Sequence, residues 1–270
     1  MTLSNSSKFS SLTIYAIIYL AFIYVPVLFL PLFSFNDSIY VAFPLKGFTL
    51  DWYSSMADSD GLVHALTNSI KVGVVVAILS TILGTLAAKA LTRYRMPGSG
   101  AMVGLIMVPL VIPGIIIGIA LLVLINTLGL NLSLFTIGLA HMPECTAFSM
   151  LVMISRLEGF EKQIEEASLD LGEGPWMTFW RITFPLAMPG IVASLLLTFT
   201  ISFDEFILAF FLAGQEVTLP IYIWSQLRFP AKLPSVLALG TLILVASFVL
   251  VTFAEWFRRR GVQIKSTSGV

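Results

Sequence analysis

Residues 166–185 read EASLDLGEGPWMTFWRITFP and form the longest charged passage in a chain that is otherwise mostly apolar. Residues 163–171 are rich in helix-forming side chains. Gly172 and Gly174 are expected to end that helix, and Pro175 suits the first turn of a second helix. The second helix would have a bulky aromatic face made of Trp176, Phe179 and Trp180. The stretch therefore predicts two short helices that meet at a glycine elbow.

The composition predicts that the solvent of this chain is a lipid bilayer. Of its 270 residues, 57% are hydrophobic and 11% are charged, whereas soluble domains carry about 25% charged residues. The 15 basic and 15 acidic residues balance, so nothing indicates a nucleic-acid partner. The sequence contains no G-x-x-x-x-G-K-[ST] phosphate loop and no Cys/His cluster that could hold a metal, and its single cysteine, Cys145, rules out an internal disulfide framework.

Six segments are apolar for about 20 residues or more, the length that a spanning helix needs. They are 12–35, 63–92, 101–126, 133–155, 187–213 and 235–257. The sequence thus predicts one transmembrane domain over residues 1–270, with a polar loop at 156–186. Pro185 and Pro189 are expected to separate the second loop helix from the fifth span.

The positive charges predict that both termini are cytoplasmic. With the amino terminus inside, eleven of the 15 lysines and arginines fall on the inner side, as the positive-inside rule requires. The loop 156–186 is then cytoplasmic, and the loops 36–62 and 214–234 face outward. The outer loops carry aromatic residues that suit either an interfacial belt or contact with another protein: Phe43, Phe48, Trp52, Tyr53, Tyr222, Trp224 and Phe229.

Three acidic residues lie within predicted spans: Glu144, Asp204 and Glu205. An ionisable side chain in hydrocarbon is costly and is a candidate functional group by default. These carboxylates would line a translocation cavity and attract a cationic amine. Two alternatives remain for them. Asp204 and Glu205 could pair with another subunit or cap a helix break, and Glu144 could be protonated or pair with His141.

The polar stretch follows the pattern E-A-[A/S]-x-x-x-G, then nine residues, then I-x-x-P. The matching positions are Glu166, Ala167, Ser168, Gly172, Ile182 and Pro185. This pattern resembles the cytoplasmic signature of permease subunits of binding-protein-dependent ABC importers. Ser168 stands where that family usually has Ala, and Phe184 stands where it usually has Leu.

The resemblance implies the type I ABC importer permease fold, an all-α integral membrane protein with six transmembrane helices and a two-helix cytoplasmic coupling loop. In that family the loop docks into a cleft on a separate cytoplasmic ATPase. Glu166 would pair with a basic group of the ATPase, and Gly172 would permit the sharp turn. Pro175 and Trp176 would belong to the second docked helix. ATP and Mg would be bound by the ATPase, and this chain would bind no cofactor.

A closer resemblance, to the spermidine/putrescine (polyamine) permease group, extends over nearly the whole chain. The segments that carry it are GFTLDWYSS (47–55), TRYRMPG (92–98), SRLEGF (155–160), EEASLDLG (165–172), FPLAMPGI (184–191), SFDEF (202–206) and TLPIYIWSQL (218–227). It implies a polyamine cargo and a bacterial inner-membrane location. It also implies three kinds of partner: a second, related permease subunit, two ATPase subunits and an extracytoplasmic substrate-binding protein.

Other functions are weighed against this one. The same importer architecture could carry an opine, an aminophosphonate or iron. A secondary transporter driven by an ion gradient would need no docking helix for an ATPase, and six spans without a visible repeat would be short for one. A membrane enzyme should show paired acid and base groups at one membrane face, and none is visible, so the chain is predicted to be a transport subunit rather than an enzyme.

Overall fold

The computed structural model describes residues 11–94 and 96–262. In chain order its α-helices are α1 (Ser11–Ser34), α2 (Asp51–Ala57), α3 (Asp60–Arg93), α4 (Ser99–Val111), α5 (Gly114–Thr127), α6 (Leu134–Glu158), α7 (Gln163–Asp170), α8 (Pro175–Thr178), α9 (Phe184–Asp204), α10 (Ile207–Leu212), α11 (Leu219–Gln226) and α12 (Leu233–Val262). A π-helical turn, Phe179–Thr183, joins α8 to α9, and a 3₁₀ turn, Pro230–Lys232, precedes α12. The prediction of an all-α fold is confirmed.

Five helical segments among the described residues are long and apolar enough to cross a membrane. They are Leu12–Ser34, Asp60–Arg93, Leu134–Glu158, Pro175–Asp204 and Pro230–Val249. A sixth crossing exists only if α4 and α5 together make one span. The chain divides into two compact units: residues 60–224 form the larger unit, and the described residues on either side of them form the smaller unit.

The segment predicted as a straight third span, 101–126, is instead bent by 97° between α4 and α5. The break lies at Ile112, whose ψ of 128° is extended. Pro113 explains the break, because a proline ring disfavours helical geometry in the preceding residue and supplies no N–H donor. Pro109 and Pro143, which also lie in apolar segments, remain inside α4 and α6.

The predicted fifth span, 187–213, has different ends in the structure. Helix α9 begins at Phe184 and stops at Asp204, and α10 continues after a two-residue break. The expected separation at Pro185 and Pro189 is wrong, since both prolines lie within α9. Pro185 fits there because it occupies the first turn, where its missing N–H would have no helical partner.

The core of the larger unit is made by α3, α6 and α9, which approach one another through small and hydroxylated residues. The Ser194 hydroxyl donates to Ser149 Oγ at 2.6 Å and lies 3.3 Å from Thr81 Oγ1. Gly84 lies directly against Ser149, so that a Cβ added at Gly84 would be 2.3 Å from the Ser149 hydroxyl. Small residues and hydroxyl bridges are the usual means by which helices associate in lipid.

The smaller unit holds a folded loop between α1 and α2. Its centre is the buried Asn36, whose side-chain oxygen accepts the Lys46 N–H at 2.9 Å and whose carbonyl accepts the Trp52 indole N–H at 2.9 Å. The Phe35 ring is stacked between Phe48 and Tyr53, with ring-centre distances of 5.0 and 5.3 Å. These contacts hold the loop in one conformation against the end of α1.

Candidate functional site

Two short helices form the loop between α6 and α9, as the sequence predicts. We name residues 159–183 the elbow loop. Its first helix, α7, ends before Gly172, whose φ of +92° lies in the left-handed region that side chains other than glycine avoid. Gly174 is extended and Pro175 starts α8. The second helix of the elbow loop differs from the prediction. It is not separate from the next span, because α8 continues through the π-helical turn directly into α9.

The outer surface of the elbow loop is apolar and accessible. Leu171 is 87% exposed and Trp176 is 72% exposed. Trp180 lies beside Trp176 with ring centres 5.8 Å apart, and the other large exposed apolar residues of the loop are Ile164, Leu169 and Met177. Several large exposed apolar side chains within one short loop are typical of a protein interaction site.

The signature residues divide between the two faces of the elbow loop. Glu166, Ala167, Gly172, Pro175 and Trp176 are exposed, and Pro185, in the first turn of α9, is exposed too. Ser168 is buried and lies 3.1 Å from the Thr178 hydroxyl, and Ile182 is half-buried. The Ser168–Thr178 bond ties α7 to α8, which gives a physical reason for serine where the family usually has alanine.

Glu165 and Glu166 have opposite environments although they are neighbours. The Glu166 side chain is 53% exposed and pairs with Lys162 at 3.3 Å. The Glu165 side chain is 11% exposed and accepts from Arg93 Nε at 3.0 Å. The cluster of acidic residues Glu158, Glu161, Glu165, Glu166 and Asp170 predicts a solvated face, and this prediction is wrong for Glu165, which is buried. No local pattern indicates its contact with Arg93, because the two residues are 72 positions apart in sequence.

The base of the elbow loop is closed by Arg156, near the end of α6. Its Nε and Nη2 donate to the Leu186 carbonyl of α9 at 2.9 and 2.5 Å. Gly190 leaves room for this side chain, since a Cβ there would be 2.6 Å from Arg156 Cγ. The two helices that flank the elbow loop are therefore joined where it begins and ends.

The structure brings two of the three predicted pathway acids together. The carboxylates of Glu144, in α6, and Glu205, after α9, are close enough for their charges to interact. Glu205 also caps α10, because its Oε1 accepts the Leu208 N–H at 3.0 Å. Asp204 ends α9 and is exposed.

The His141 side chain forms its hydrogen bond with α9 and not with Glu144. Its Nδ1 lies 2.9 Å from the Ser202 hydroxyl of α9, and the imidazole is buried. This contact fixes the histidine between α6 and α9, one turn from Glu144. The alternative in which His141 neutralises Glu144 is therefore not the arrangement in the structure.

The two helix breaks of the larger unit lie side by side. A Cβ at Gly114, the first residue of α5, would be 3.9 Å from Ile207, the first residue of α10, and one at Gly118 would be 2.7 Å from Phe211. The last carbonyls of α9 have no helical partners at such a break. The break between α9 and α10 therefore places backbone carbonyl oxygens without helical partners next to the carboxylates of Asp204 and Glu205.

The aromatic residues of the predicted outer loops differ in exposure. Phe43, Phe48, Trp224 and Phe229 are exposed. Trp52 and Tyr53 are half-buried, and their polar atoms bond to Asn36 and Ser34. Tyr222 is half-buried too. The exposed set offers the largest accessible surface to another protein or to the membrane interface.

Residues 80–262 match the family described as the binding-protein-dependent transport system inner membrane component. The match covers more than half of the chain and includes the whole elbow loop. The chain belongs to this family and is a multi-pass permease of the inner membrane.

Its relatives include polyamine permeases. It is 35% identical over 240 residues to the spermidine/putrescine transport system permease protein PotC of Escherichia coli (strain K12), covering 88% of this chain and 90% of the relative. It is 33% identical over 255 residues to PotC of Haemophilus influenzae, covering 94% and 98%. It is 37% identical over 244 residues to the putrescine transport system permease protein PotI of Escherichia coli (strain K12), covering 87% and 86%. The chain is thus a permease subunit of an ABC importer with polyamine permeases among its homologues.

Solved structures show the same fold at low sequence identity. A bacterial ABC transporter involved in the import of the acidic polysaccharide alginate matches with a TM-score of 0.71 and 16% identity, over 93% of this chain and 98% of that one. The alginate ABC transporter in complex with its alginate pentasaccharide-bound periplasmic protein matches with a TM-score of 0.70 and 18% identity, over 96% and 94%. These matches confirm the importer permease fold.

Proposed function

We propose that this chain is the permease subunit of an ATP-driven importer that takes up a polyamine such as spermidine or putrescine. The observation that carries the ATP-driven part is the set of exposed apolar side chains on the elbow loop, together with the exposed Glu166 of the same loop. The elbow loop and both termini lie on the cytoplasmic side. ATP and Mg bind to a separate ATPase subunit rather than to this chain.

The elbow loop is suited to be the ATPase docking site. Trp176 and Leu171 project far enough to be buried by a partner, and large aromatic residues in a desolvated pocket dominate binding energy. Glu166 can exchange Lys162 for a basic group of the ATPase at little cost, because an exposed ion pair contributes only about 0–1 kcal/mol. Glu166, Ala167, Gly172, Pro175 and Trp176 form the docking surface. Ser168 and Ile182 support it from beneath, and Pro185 lies exposed where α9 begins.

The assembly contains a second, related permease subunit, two ATPase subunits and an extracytoplasmic binding protein. The names of the relatives support this, since each is one permease protein of a transport system. The exposed aromatic residues Phe43 and Phe48 in the smaller unit are candidates to contact the binding protein.

The negative charge around the break between α9 and α10 supports a cationic cargo. Glu144, Asp204 and Glu205 lie next to the carbonyl end of α9, which carries the negative pole of the helix dipole. Each carboxylate attracts a protonated amine by about 4 kcal/mol at about 4 Å when the effective dielectric constant is about 20. The same site would repel an aminophosphonate, whereas iron would remain a possible cargo on charge alone.

Docking is tested by purifying the chain with its partner subunits and measuring ATPase retention and uptake in proteoliposomes. Glu166→Lys and Trp176→Ala should each reduce ATPase retention while the permease still inserts. Glu158→Lys is the matched control, because Glu158 is exposed at the end of α6 outside the signature. Wild-type retention and uptake in both loop variants would refute the docking proposal.

Cargo is tested with carboxamide variants that keep the local hydrogen bonds. Glu205→Gln preserves an oxygen that can cap Leu208, so it removes charge without removing the cap. Together with Glu144→Gln it should lower spermidine uptake strongly and leave folding intact. Unchanged spermidine uptake would show that these acids serve packing, and iron-selective uptake by the wild type would overturn the polyamine assignment.

A further inference from the structure

Arg93, the last residue of α3, joins α3 to the elbow loop. Its Nε donates to Glu165 of α7 at 3.0 Å, and its Nη2 donates to the Leu157 carbonyl of α6 at 3.0 Å. Its guanidinium lies over the Phe160 ring, 4.7 Å from the ring centre. One side chain therefore contacts the end of α6, the start of the elbow loop and α7.

The Arg93–Glu165 pair is the shielded ion pair of the elbow loop. Its side chains are 7% and 11% exposed, whereas those of Lys162 and Glu166 are 54% and 53% exposed. Removing one partner of a buried pair leaves an unpaired charge, so the two groups stay together when the loop moves. An exposed pair such as Lys162–Glu166 can separate freely.

Helix α3 is not adjacent to the elbow loop in the sequence, since the helices on either side of that loop are α6 and α9. Besides Arg93, the contact depends on Lys89, whose Nζ lies 4.4 Å from the centre of the Phe179 ring in the π-helical turn. The last two turns of α3 thus hold both halves of the elbow loop, with Arg93 on α7 and Lys89 on the turn before α9.

In its third turn, α3 is fixed to another loop. Asn68 donates to Glu216 Oε2 at 3.1 Å and to the Val217 carbonyl at 3.0 Å, and the Ser69 hydroxyl accepts the Leu219 N–H at 2.8 Å. Helix α3 is one unbroken helix of 34 residues, and the distance along it from Asn68 to Arg93 is about 38 Å at 1.5 Å per residue. It is a continuous rigid element from the elbow loop to residues 216–219.

We infer that Arg93 is the residue through which displacement of the elbow loop moves α3. When the ATPases draw the elbow loop inward, Glu165 moves with α7 and carries Arg93, and α3 passes the displacement to residues 216–219. Glu166 contacts the ATPase, and the neighbouring Glu165 transmits the displacement of the elbow loop to Arg93. This inference rests on the proposed docking of an ATPase at the elbow loop.

The test uses the complete transporter in proteoliposomes and separates three quantities: ATPase retention, ATP hydrolysis, and polyamine uptake per ATP hydrolysed. Arg93→Gln and Glu165→Gln should leave ATPase retention unchanged and lower uptake per ATP by about tenfold, within the usual range of coupling between sites. Arg181→Gln is the matched control, because Arg181 belongs to the same loop but pairs with Glu173 at the exposed surface. It should leave all three quantities unchanged.

Two rescues distinguish transmission from a merely structural role. The charge swap Arg93→Glu with Glu165→Arg should recover part of the lost coupling. Arg93→Cys with Glu165→Cys, in a Cys145→Ala background, should be uncoupled until a cleavable bifunctional thiol reagent joins the two positions, and uncoupled again after cleavage. Because the crosslink restores a connection without restoring charge, recovery reports the connection itself.

Four outcomes are decisive. Uptake per ATP that falls with retained ATPase and recovers on crosslinking supports the inference. Unchanged uptake per ATP in both glutamine variants overturns it. Loss of the ATPase from Arg93→Gln also overturns it, since the pair would then only shape the docking surface. A wild-type complex that never retains an ATPase refutes the proposed function itself.

Discussion

Gly84→Ala is expected to force α3 and α6 apart at their closest approach. The added Cβ would lie 2.3 Å from the Ser149 hydroxyl oxygen and 2.7 Å from the Met150 backbone nitrogen. The Ser149 side chain could rotate away, but the backbone nitrogen of Met150 cannot. The helices must therefore separate locally, and the Ser194–Ser149 hydrogen bond of 2.6 Å must lengthen.

The size of the effect follows from three contributions. Overpacking a well-packed core costs about 1–3 kcal/mol. A hydrogen bond between membrane helices contributes about 0.6 kcal/mol. Replacing a helical glycine with alanine returns about 0.5–1 kcal/mol, because the unfolded chain loses flexibility. The net loss of unfolding free energy should be about 1–3 kcal/mol, with overpacking as the dominant contribution.

The assay is reversible unfolding of the purified chain in mixed detergent micelles, followed by tryptophan fluorescence. Gly138→Ala is the matched control, because a Cβ at Gly138 in α6 would meet only Val76, at an ordinary contact distance of 3.7 Å. The control should be neutral or stabilised by about 0.5–1 kcal/mol. If the two variants unfold at the same detergent composition, the close packing of α3 on α6 is refuted.

Three further changes have expected outcomes. Asn68→Ala should accelerate hydrogen exchange of residues 216–219, because Glu216 and the Val217 carbonyl lose a buried donor at a cost of about 1–3 kcal/mol; unchanged exchange would contradict this. Gly172→Ala should lower the Tm, since its φ of +92° costs a residue with a Cβ about 1–2 kcal/mol. Arg156→Ala should make the elbow loop more sensitive to limited proteolysis, because the Leu186 carbonyl loses both of its guanidinium donors; equal cleavage rates would refute this.

The elbow loop could be predicted from sequence because its determinants are local. Helix formers before Gly172, a positive φ that glycine tolerates, and Pro175 at a helix start act within a few residues. The same local reasoning locates the apolar segments, although it missed the bend in the third and the break in the fifth. It also anticipated that Glu205 could cap a helix break, which it does at Leu208.

Two features could not be predicted from the sequence. One is a contact between residues far apart in the chain, and the other is which of several prolines breaks its helix. The Arg93–Glu165 pair joins residues 72 positions apart, so no periodicity indicates it. Six prolines lie in the predicted apolar segments, yet only Pro113 lies at a helix break. The other five, Pro26, Pro31, Pro109, Pro143 and Pro189, are accommodated within their helices. The i, i+4 spacing of Lys89 and Arg93 places them on one face of α3, and it was the one available signal of a paired contact.

The uninterrupted length of α3 restricts how this part of the chain can change during evolution. Inserting one residue between Asn68 and Arg93 would rotate one end relative to the other by about 100° and lengthen the helix by about 1.5 Å. The contact of Asn68 with residues 216–217 or the contact of Arg93 with Glu165 could then form, but not both. Insertions of about seven residues, two nearly complete turns, would keep the angular phase and still displace one contact along the axis. The number of residues between the two ends should therefore stay fixed, while the loops before and after α3 are free to vary in length.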